Sequence, residues 1–344
     1  MDEALLNETK AFREEFRSEA LKAEKIFVVC HIGPDDDAIG SLLASYFYLT
    51  EKLGIEESRV KALCTGKRIE RYSVFEGYDK VEFVRDIAKH VEKGFVLFLD
   101  GSLWKRFSGE EKQGLGFSAC IDHHETEGEE HDLSIIKPGF SSTAELVYHV
   151  FFREEENISK KVCEALLLGI LGDTGNFSYV SRHNKSVLRV AETLIEKGDI
   201  HIQEFEAKYN FVMEESFRLF RKLVANSRIE NKGNWPRLMY SYVDDAKEDF
   251  DVVKEAAQMF IRYTRKIKGV HWGFVVTPRN SHCSVSLRAL PGSVNVRKVA
   301  EEFSGGGHDL AAGCGFDDVS CSEAKDLLLK WLEDTGYEGY RHRS

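Results

Sequence analysis

An imidazole and three carboxylates fall within one short stretch, His31-Ile32-Gly33-Pro34-Asp35-Asp36-Asp37, which runs on through Ala38 to Ser41. So many acidic oxygens beside a ring nitrogen repel one another unless a cation neutralises them, and oxygen plus imidazole ligands suit Mn²⁺ or Mg²⁺ better than a thiol-seeking metal. The stretch is therefore a candidate metal site. Three further groups resemble it in placement: Asp100, Asp122-His123-His124 and Asp173, each after an apolar run. Taken singly, each has a plain alternative. Asp37 can be a helix N-cap, His123-His124 a surface pair, and Asp173 with Gly175 a turn. Taken together they favour a metal, because burying four such groups without a cation is costly. Asp35 and Asp37 are two residues apart, so their carboxylates can share a side while Asp36 points away, which allows two neighbouring ions. Two-metal sites activate water at neutral pH and stabilise both oxygens of an in-line phosphoryl displacement.

The elements that must position these groups are legible as runs. Ile26-Phe27-Val28-Val29-Cys30, Val60 to Cys64, Phe95 to Leu99 and Ser118 to Ile121 read as strands, and Leu5 to Ala23, Ala38 to Leu53, Thr143 to Phe152 and Lys160 to Leu171 as helices. Such alternation implies an α/β fold with a mostly parallel sheet covered on both faces. In that architecture the carboxyl ends of the strands share one edge, where distant acid groups converge. Lys185 to about Arg228 reads as a helical connector broken near Gly198. Strands Leu238 to Val243, Trp272 to Thr277 and Cys283 to Arg288, with helices Ala246 to Thr264, Val296 to Phe303 and Ser322 to Asp334, make a second, smaller α/β domain. The expected division is 1–190, a connector 191–232, and 233–344.

The second domain has no acid cluster of its own. It carries Ser304-Gly305-Gly306-Gly307-His308, whose consecutive glycines can turn backbone N–H groups toward an anion, and Arg288, a planar fork for phosphate. It is read as the substrate holder, although a glycine cluster alone can be just a loop.

The 344 residues, 42% hydrophobic, are enough for two cores, and the net charge of −11 argues against a general grip on long duplex nucleic acid. Seven cysteines form no C-x-x-C pair, and no run approaches a membrane span or a signal peptide. These features point to a protein of the reducing cytoplasm without membrane or targeting segments.

Together, His31-Ile-Gly-Pro-Asp35-Asp-Asp37-Ala-Ile-Gly-Ser41, Asp100, Asp122-His123-His124, Gly172-Asp173-Thr-Gly175 and Phe303-Ser-Gly-Gly-Gly-His308-Asp-Leu-Ala-Ala-Gly313-Cys314 resemble the DHH phosphoesterases with a C-terminal DHHA1 domain. The layout is similar to that of the nano-RNases, which are oligoribonucleases and pAp phosphatases, and of their cyclic-dinucleotide phosphodiesterase relatives. The resemblance implies two divalent ions, Mn²⁺ first among them, one held by His31, Asp35 and Asp100 and the other by Asp37, Asp100, His123 and Asp173. It also implies that Asp100 bridges the ions and that His124 faces the scissile phosphate. Arg288 and His308, with Gly305, Gly306 and Gly307, would then hold the substrate's other phosphate, and a homodimer through the first domain is expected.

The sequence departs from the family pattern at three places. Asp36 stands where glycine is common, Gly101-Ser102 follows Asp100 where a hydroxyl residue is expected directly, and Ser304 replaces a fourth glycine. The function expected is hydrolysis of oligonucleotides of two to five residues, or of pAp, to nucleoside monophosphates. Its rivals are a phosphodiesterase for cyclic dinucleotides or their linear products and, from another class, a catalytically dead nucleotide-binding module. A single-strand exonuclease of longer range is disfavoured, since neither an extra binding domain nor a basic stretch stands out.

Overall fold

The computed structural model describes residues 3–91, 93–112, 114–125, 131–246, 248–279 and 282–342. It forms two compact units, residues 1–211 and 212–344.

The first unit is built on six parallel strands: β1 (Ile26–Cys30), β2 (Val60–Thr65), β3 (Val81–Val84), β4 (Phe95–Leu99), β5 (Phe117–Asp122) and β6 (Leu133–Ile136). Their order is β3-β2-β1-β4-β5-β6, so chain order reverses between β1 and β4. Alternate residues of β1 feed two cores. Ile26, Val28 and Cys30 join the large core shared with the helices, while Phe27 and Val29 join the core of Ile87, Val91, Trp104 and Phe107 on the other face. An unbroken apolar run is what a strand covered on both sides requires.

Helices α1 (Glu3–Lys22), α2 (Asp36–Phe47), α3 (Thr143–Val147), α4 (Lys160–Thr174), α5 (Val187–Gly198) and α6 (Ile202–Tyr209) complete this unit. Both α2 and α3 run on as π-helical turns, Tyr48–Lys52 and Phe152-ending Tyr148–Phe152, where Tyr48 stacks on Phe151 at 4.1 Å. Helices α2 and α4 cross closely because Gly40 meets Gly169: a Cβ on Gly40 would fall 2.3 Å from the Ala165 carbonyl oxygen and 2.9 Å from Gly169 N. That approach puts the start of α2 beside the end of α4.

The stretch expected as a connector is three helices. α5 and α6 belong to the first unit, and α7 (Glu214–Ala225) belongs to the second.

The second unit adds β7 (Arg228–Glu230), β8 (Leu238–Tyr242), α8 (Phe250–Tyr263), β9 (Trp272–Arg279), β10 (His282–Ala289), α9 (Val296–Glu301), β11 (Gly306–His308), β12 (Ala311–Asp317) and α10 (Cys321–Asp334). Its mixed sheet has the order β11-β12-β10-β9-β8-β7, with only β8 and β9 parallel. Alternation in β10 sends Cys283, Val285 and Leu287 into the core with α9 and α10, and leaves Ser284, Ser286 and Arg288 partly exposed on the opposite face.

Candidate active site

Strands β1, β4 and β5 lie side by side, in register at Cys30↔Leu99 and Leu99↔Ile121. His31, Asp100 and His123 therefore follow three adjacent strand ends, at the point where strand order reverses and open α/β sheets bind ligands. The start of α2 supplies Asp35 and Asp37, and the last turn of α4 supplies Asp173.

Capping falls to Asp35, whose Oδ1 accepts from Ala38 N at 3.1 Å. Asp37 follows two residues later, in the first turn of α2, and is fully buried. The helix α4 runs through Thr174 and ends at Gly175 in the left-handed conformation, so Asp173 lies within the helix rather than in a turn beyond it. A carboxylate at a helix C-terminus is disfavoured by the helix dipole, another reason to expect a cation there.

His31 Nε2 lies 3.2 Å from Asp100 Oδ2 and 3.7 Å from Asp35 Oδ1. His123 Nε2 lies 3.0 Å from Asp173 Oδ2, 3.7 Å from Asp100 Oδ1 and 3.9 Å from Asp37 Oδ2. His124 Nδ1 is 3.5 Å from Asp100 Oδ1 and 2.8 Å from Asp122 Oδ1. Ligand atoms in each of the groups His31/Asp35/Asp100, Asp37/His123/Asp173 and Asp100/His123/His124 lie within 4.8 Å of one another. Asp100 is common to two of them and holds a left-handed backbone, φ 61°, a strained conformation for a non-glycine residue.

The electrostatics follow from crowding. Burial pushes the Asp37 carboxyl well up, and Asp100 and Asp173 push it further. Burial also lifts Asp173, to about 6, against the pull of His123. Burial opposes charge on both histidines, yet Asp100 and Asp35 raise His31 well above its usual value, and Asp173, Asp37 and Asp100 raise His123 to about 10. Burial would raise Asp100, but His31, His123 and His124 hold it far below the carboxylate range.

The donor set fits divalent cations. His31 Nδ1 faces the Ile32 carbonyl oxygen at 3.1 Å and His123 Nδ1 faces that of Phe140 at 3.4 Å, which turns both Nε2 atoms to the carboxylates. Metal-binding histidines are oriented in this way. His123 Nε2 is buried and, among the described residues, makes no hydrogen bond of good geometry despite its close carboxylates, as suits a lone pair aimed at an ion.

Three roles escape a reading of the sequence. Thr143 Oγ1 donates to Asp100 Oδ1 at 2.9 Å, while Thr143 N and Ala144 N donate to Asp37 at 2.6 and 2.8 Å. The readable signal was Ser142-x-x-Glu145, a helix-start pattern, and Ser142 does cap α3. Asp122, fully buried, orients His124 through both its backbone N and its ring. Asp36 points away from the centre and accepts from Arg71 and from Tyr72 Oη.

In the second unit Arg288, Ala311 and His308 lie in one cross-strand row, Arg288↔Ala311 and His308↔Ala311. Arg288 and His308 therefore project from the same sheet face, two strands apart. Residues 306–308 form an edge strand rather than a curled anion nest. Close backbone approach is the reason: a Cβ on Gly305 would fall 2.2 Å from the Gly313 carbonyl oxygen, and one on Gly307 2.7 Å from that of Ala311, whereas Gly306 faces open space.

A parallel sheet with six imidazoles and carboxylates gathered near its strand ends, followed by a smaller mixed-sheet domain, is an arrangement suited to metal-assisted phosphoester chemistry. Residues 25–170 match the family model described as DHH family, N-terminal domain, and residues 236–335 match the DHHA1 domain. The chain belongs to the DHH family of phosphoesterases with a DHHA1 domain. It is 28% identical over 320 residues to the bifunctional oligoribonuclease and PAP phosphatase NrnA of Thermus thermophilus, covering 92% of each chain. It is 26% identical over 336 residues to the cyclic-di-AMP phosphodiesterase PdeA of Listeria monocytogenes, covering 91% of this chain and 48% of that one. A crystal structure of an exopolyphosphatase-related protein from Bacteroides fragilis superposes with a TM-score of 0.77 at 25% identity, covering 94% of this chain and 96% of that chain.

Proposed function

We propose that this protein hydrolyses short oligonucleotides of two to five residues, and pAp, to nucleoside monophosphates with the help of two divalent ions, Mn²⁺ first among them. The observation that carries the reading is the position of Asp100, which groups with His31 and Asp35 and also lies 3.7 Å from His123, the imidazole of the Asp37/His123/Asp173 group. His31, Asp35 and Asp100 would hold one ion, and Asp37, Asp100, His123 and Asp173 the other. When bound, such ions supply a water acidic enough to attack at neutral pH and neutralise charge on the phosphoryl oxygens.

The chain's own groups do the rest. Asp122 fixes the orientation of the His124 ring through Nδ1, and that ring is the proposed hydrogen-bond donor to a phosphate oxygen. Thr143 Oγ1 and the first N–H groups of α3 hold Asp100 and Asp37 in place, so the ligands are set before substrate arrives. Arg288, His308 and the glycines Gly305, Gly306 and Gly307 are the proposed contacts for the substrate's other phosphate.

The similarity to PdeA along most of this chain supports a second reading, hydrolysis of cyclic dinucleotides or their linear products by the same centre. The described cysteines are all free thiols, in keeping with a cytoplasmic enzyme. Among the described residues no helix is long and apolar enough to cross a membrane.

The test is Asp100→Asn, with Mn²⁺-dependent release of mononucleotide from a 5′-phosphorylated dinucleotide, from pAp and from cyclic di-AMP. Wild-type turnover on the first two with loss in the variant is expected. Near-normal turnover in the variant would overturn the site, and no wild-type turnover on any of the three would leave the nucleotide-binding module.

A further inference from the structure

Helix α7 has two apolar faces where a surface helix needs one. Leu219 and Leu223 are fully buried against α8 and the sheet, so the core is already served. Met213, Phe217 and Val224 nevertheless stand 44%, 49% and 45% exposed on another side. Phe217 continues into Phe220 with ring centroids 6.1 Å apart, and Phe220 stacks at 5.8 Å and 27° on Tyr263, itself 49% exposed at the end of α8. Exposed aromatic rings in a row are a cost in water unless something covers them.

Charge says what covers them. From Ala256 to His271 there is no acidic residue, yet Arg262, Lys266 and Lys268 are exposed and Arg265 partly so. On α7, Arg221 is exposed one residue after Phe220, and Arg218 engages Glu214 and Glu215 at 3.5 and 3.2 Å. In a chain of net charge −11 this is a local cationic surface interleaved with rings. The segment Arg262-Tyr-Thr-Arg-Lys-Ile-Lys268 is too short to stand out in the sequence, and its exposure beside Phe217 and Phe220 is what gives it weight.

A second copy docking by a twofold axis would bring these cations against themselves, because such an interface pairs a patch with its own equivalent. Flat π-faces beside phosphates match the patch instead, which is the pairing that single-stranded nucleic acid offers. The patch also adjoins the row described above. A Cβ on Gly273 would fall 2.7 Å from Thr264 Cγ2, and Gly273 is the cross-strand partner of Arg288. Tyr263 thus lies near the end of the sheet that presents Arg288 and His308.

We infer that the α7–α8 face of the second unit is a binding surface for single-stranded oligonucleotide, whose bases stack on Phe217, Phe220 and Tyr263 and whose phosphates pair with Arg262, Lys266 and Lys268. The inference rests on the reading of the protein as an oligonucleotide hydrolase and extends it: strands longer than a dinucleotide gain affinity here, outside the phosphate contacts of Arg288 and His308.

The experiment uses the full chain in EDTA, so that nothing is cleaved, and fluorescence anisotropy of a fluorescein-labelled single-stranded RNA octamer. The Phe217→Ser/Tyr263→Ser variant replaces only exposed rings, and Lys266→Glu/Lys268→Glu reverses two exposed cations. Stacking is worth roughly tenfold or more in affinity per base, so the first variant is expected to raise the octamer Kd about tenfold or more. The second is expected to flatten its salt dependence. Dinucleotide hydrolysis should stay within about twofold of wild type, as no stacking beyond the phosphate contacts is invoked for so short a substrate. The inference is overturned by an octamer Kd unchanged in both variants or by no octamer binding to wild type. It is equally overturned if sedimentation shows that the ring variant instead dissolves a dimer, or if the variants lose only binding to phosphatidylserine vesicles. Octamer binding lost in the variants while wild type hydrolyses no dinucleotide would uphold the surface and refute the catalytic reading, which keeps the two failures apart.

Discussion

Replacing Asp36 by the glycine common in the family should weaken this protein. Asp36 Oδ1 accepts from Tyr72 Oη at 2.7 Å and from the Arg71 guanidinium, which also donates to Tyr72 Oη at 2.7 Å and lies 4.8 Å from the centre of its ring. Tyr72 is completely buried, and burial together with the Asp36 charge holds its hydroxyl protonated, so it remains a donor at any working pH. Removing its charged acceptor leaves a buried O–H unsatisfied, roughly 1–3 kcal/mol. Losing an acidic residue from the first turn of α2 costs roughly 0.3–1 kcal/mol more. Arg71 is about a third exposed and recovers water, so no full ion-pair penalty is added. The sum is about 1–4 kcal/mol for Asp36→Gly, read as an earlier urea transition of the first unit by tryptophan fluorescence and circular dichroism, with EDTA present. Asp36→Asn retains an acceptor and should lose less than half of that. Adding Tyr72→Phe to Asp36→Gly should restore about 1 kcal/mol, because the phenyl ring has no proton to satisfy. An Asp36→Gly protein as stable as wild type, or more stable, would refute the assignment.

Ser304 sits at φ 56°, a left-handed conformation that suits glycine, so Ser304→Gly should raise stability by roughly 1 kcal/mol and the calorimetric Tm with it. Gly306→Ala meets open space and should fold normally, whereas Gly305→Ala must displace the Gly313 carbonyl and should lose roughly 2 kcal/mol or more in the same scan. If the strand holds phosphate, Gly306→Ala raises KM without moving Tm. His149 is buried and, among the described residues, has no hydrogen-bond partner for either ring nitrogen; burial, aided by Arg153, lowers its pKa to about 4. Glu145 lies 4.0 Å away but already accepts from Ser141 and Ser186, so burial decides. The unfolded chain therefore takes the proton first, and stability should fall as pH drops from about 6.5 to about 4, by up to roughly 3 kcal/mol. His149→Leu should show a shallower acid slope in denaturant titrations. Thr143→Val removes a hydrogen bond to Asp100 but keeps the backbone, and should weaken Mn²⁺ binding by calorimetry about 10- to 100-fold.

Much of the fold could be read from apolar runs. Phe95 to Leu99 is a strand with those very ends, and Ile26 to Cys30 likewise, because a strand buried on both faces is apolar at every position and sharply bounded. The short edge strands β3 and β6 were not legible: Val81-Glu82-Phe83-Val84 and Leu133-Ser134-Ile135-Ile136 are partly exposed and too brief to stand out. The glycine run misled for a different reason. Its residues suit an anion nest by type, but pairing with Gly313 and Ala312 is a long-range event that no local pattern announces.

The centre divides in the same way. Residues that would hold ions are legible because their chemistry is unusual wherever it occurs, and an imidazole or carboxylate after an apolar run is visible without knowing its neighbours. What fixes those residues is ordinary by type. Thr143 is one threonine among many, and its weight comes from a five-residue helix whose first N–H groups meet Asp37, more than a hundred residues earlier. That meeting depends on glycines at the α2–α4 crossing: a Cβ on Gly169 would fall 2.7 Å from Asp37 Oδ1 and 2.6 Å from Ala144 Cβ. Nothing within a few positions of Gly169 or Thr143 encodes this. The second carboxylate of the pair Asp35/Asp37 is thus held by helix packing, while the first is held by its own helix cap. Loss of packing at Gly169 should therefore disturb the Asp37 group before the His31/Asp35 group.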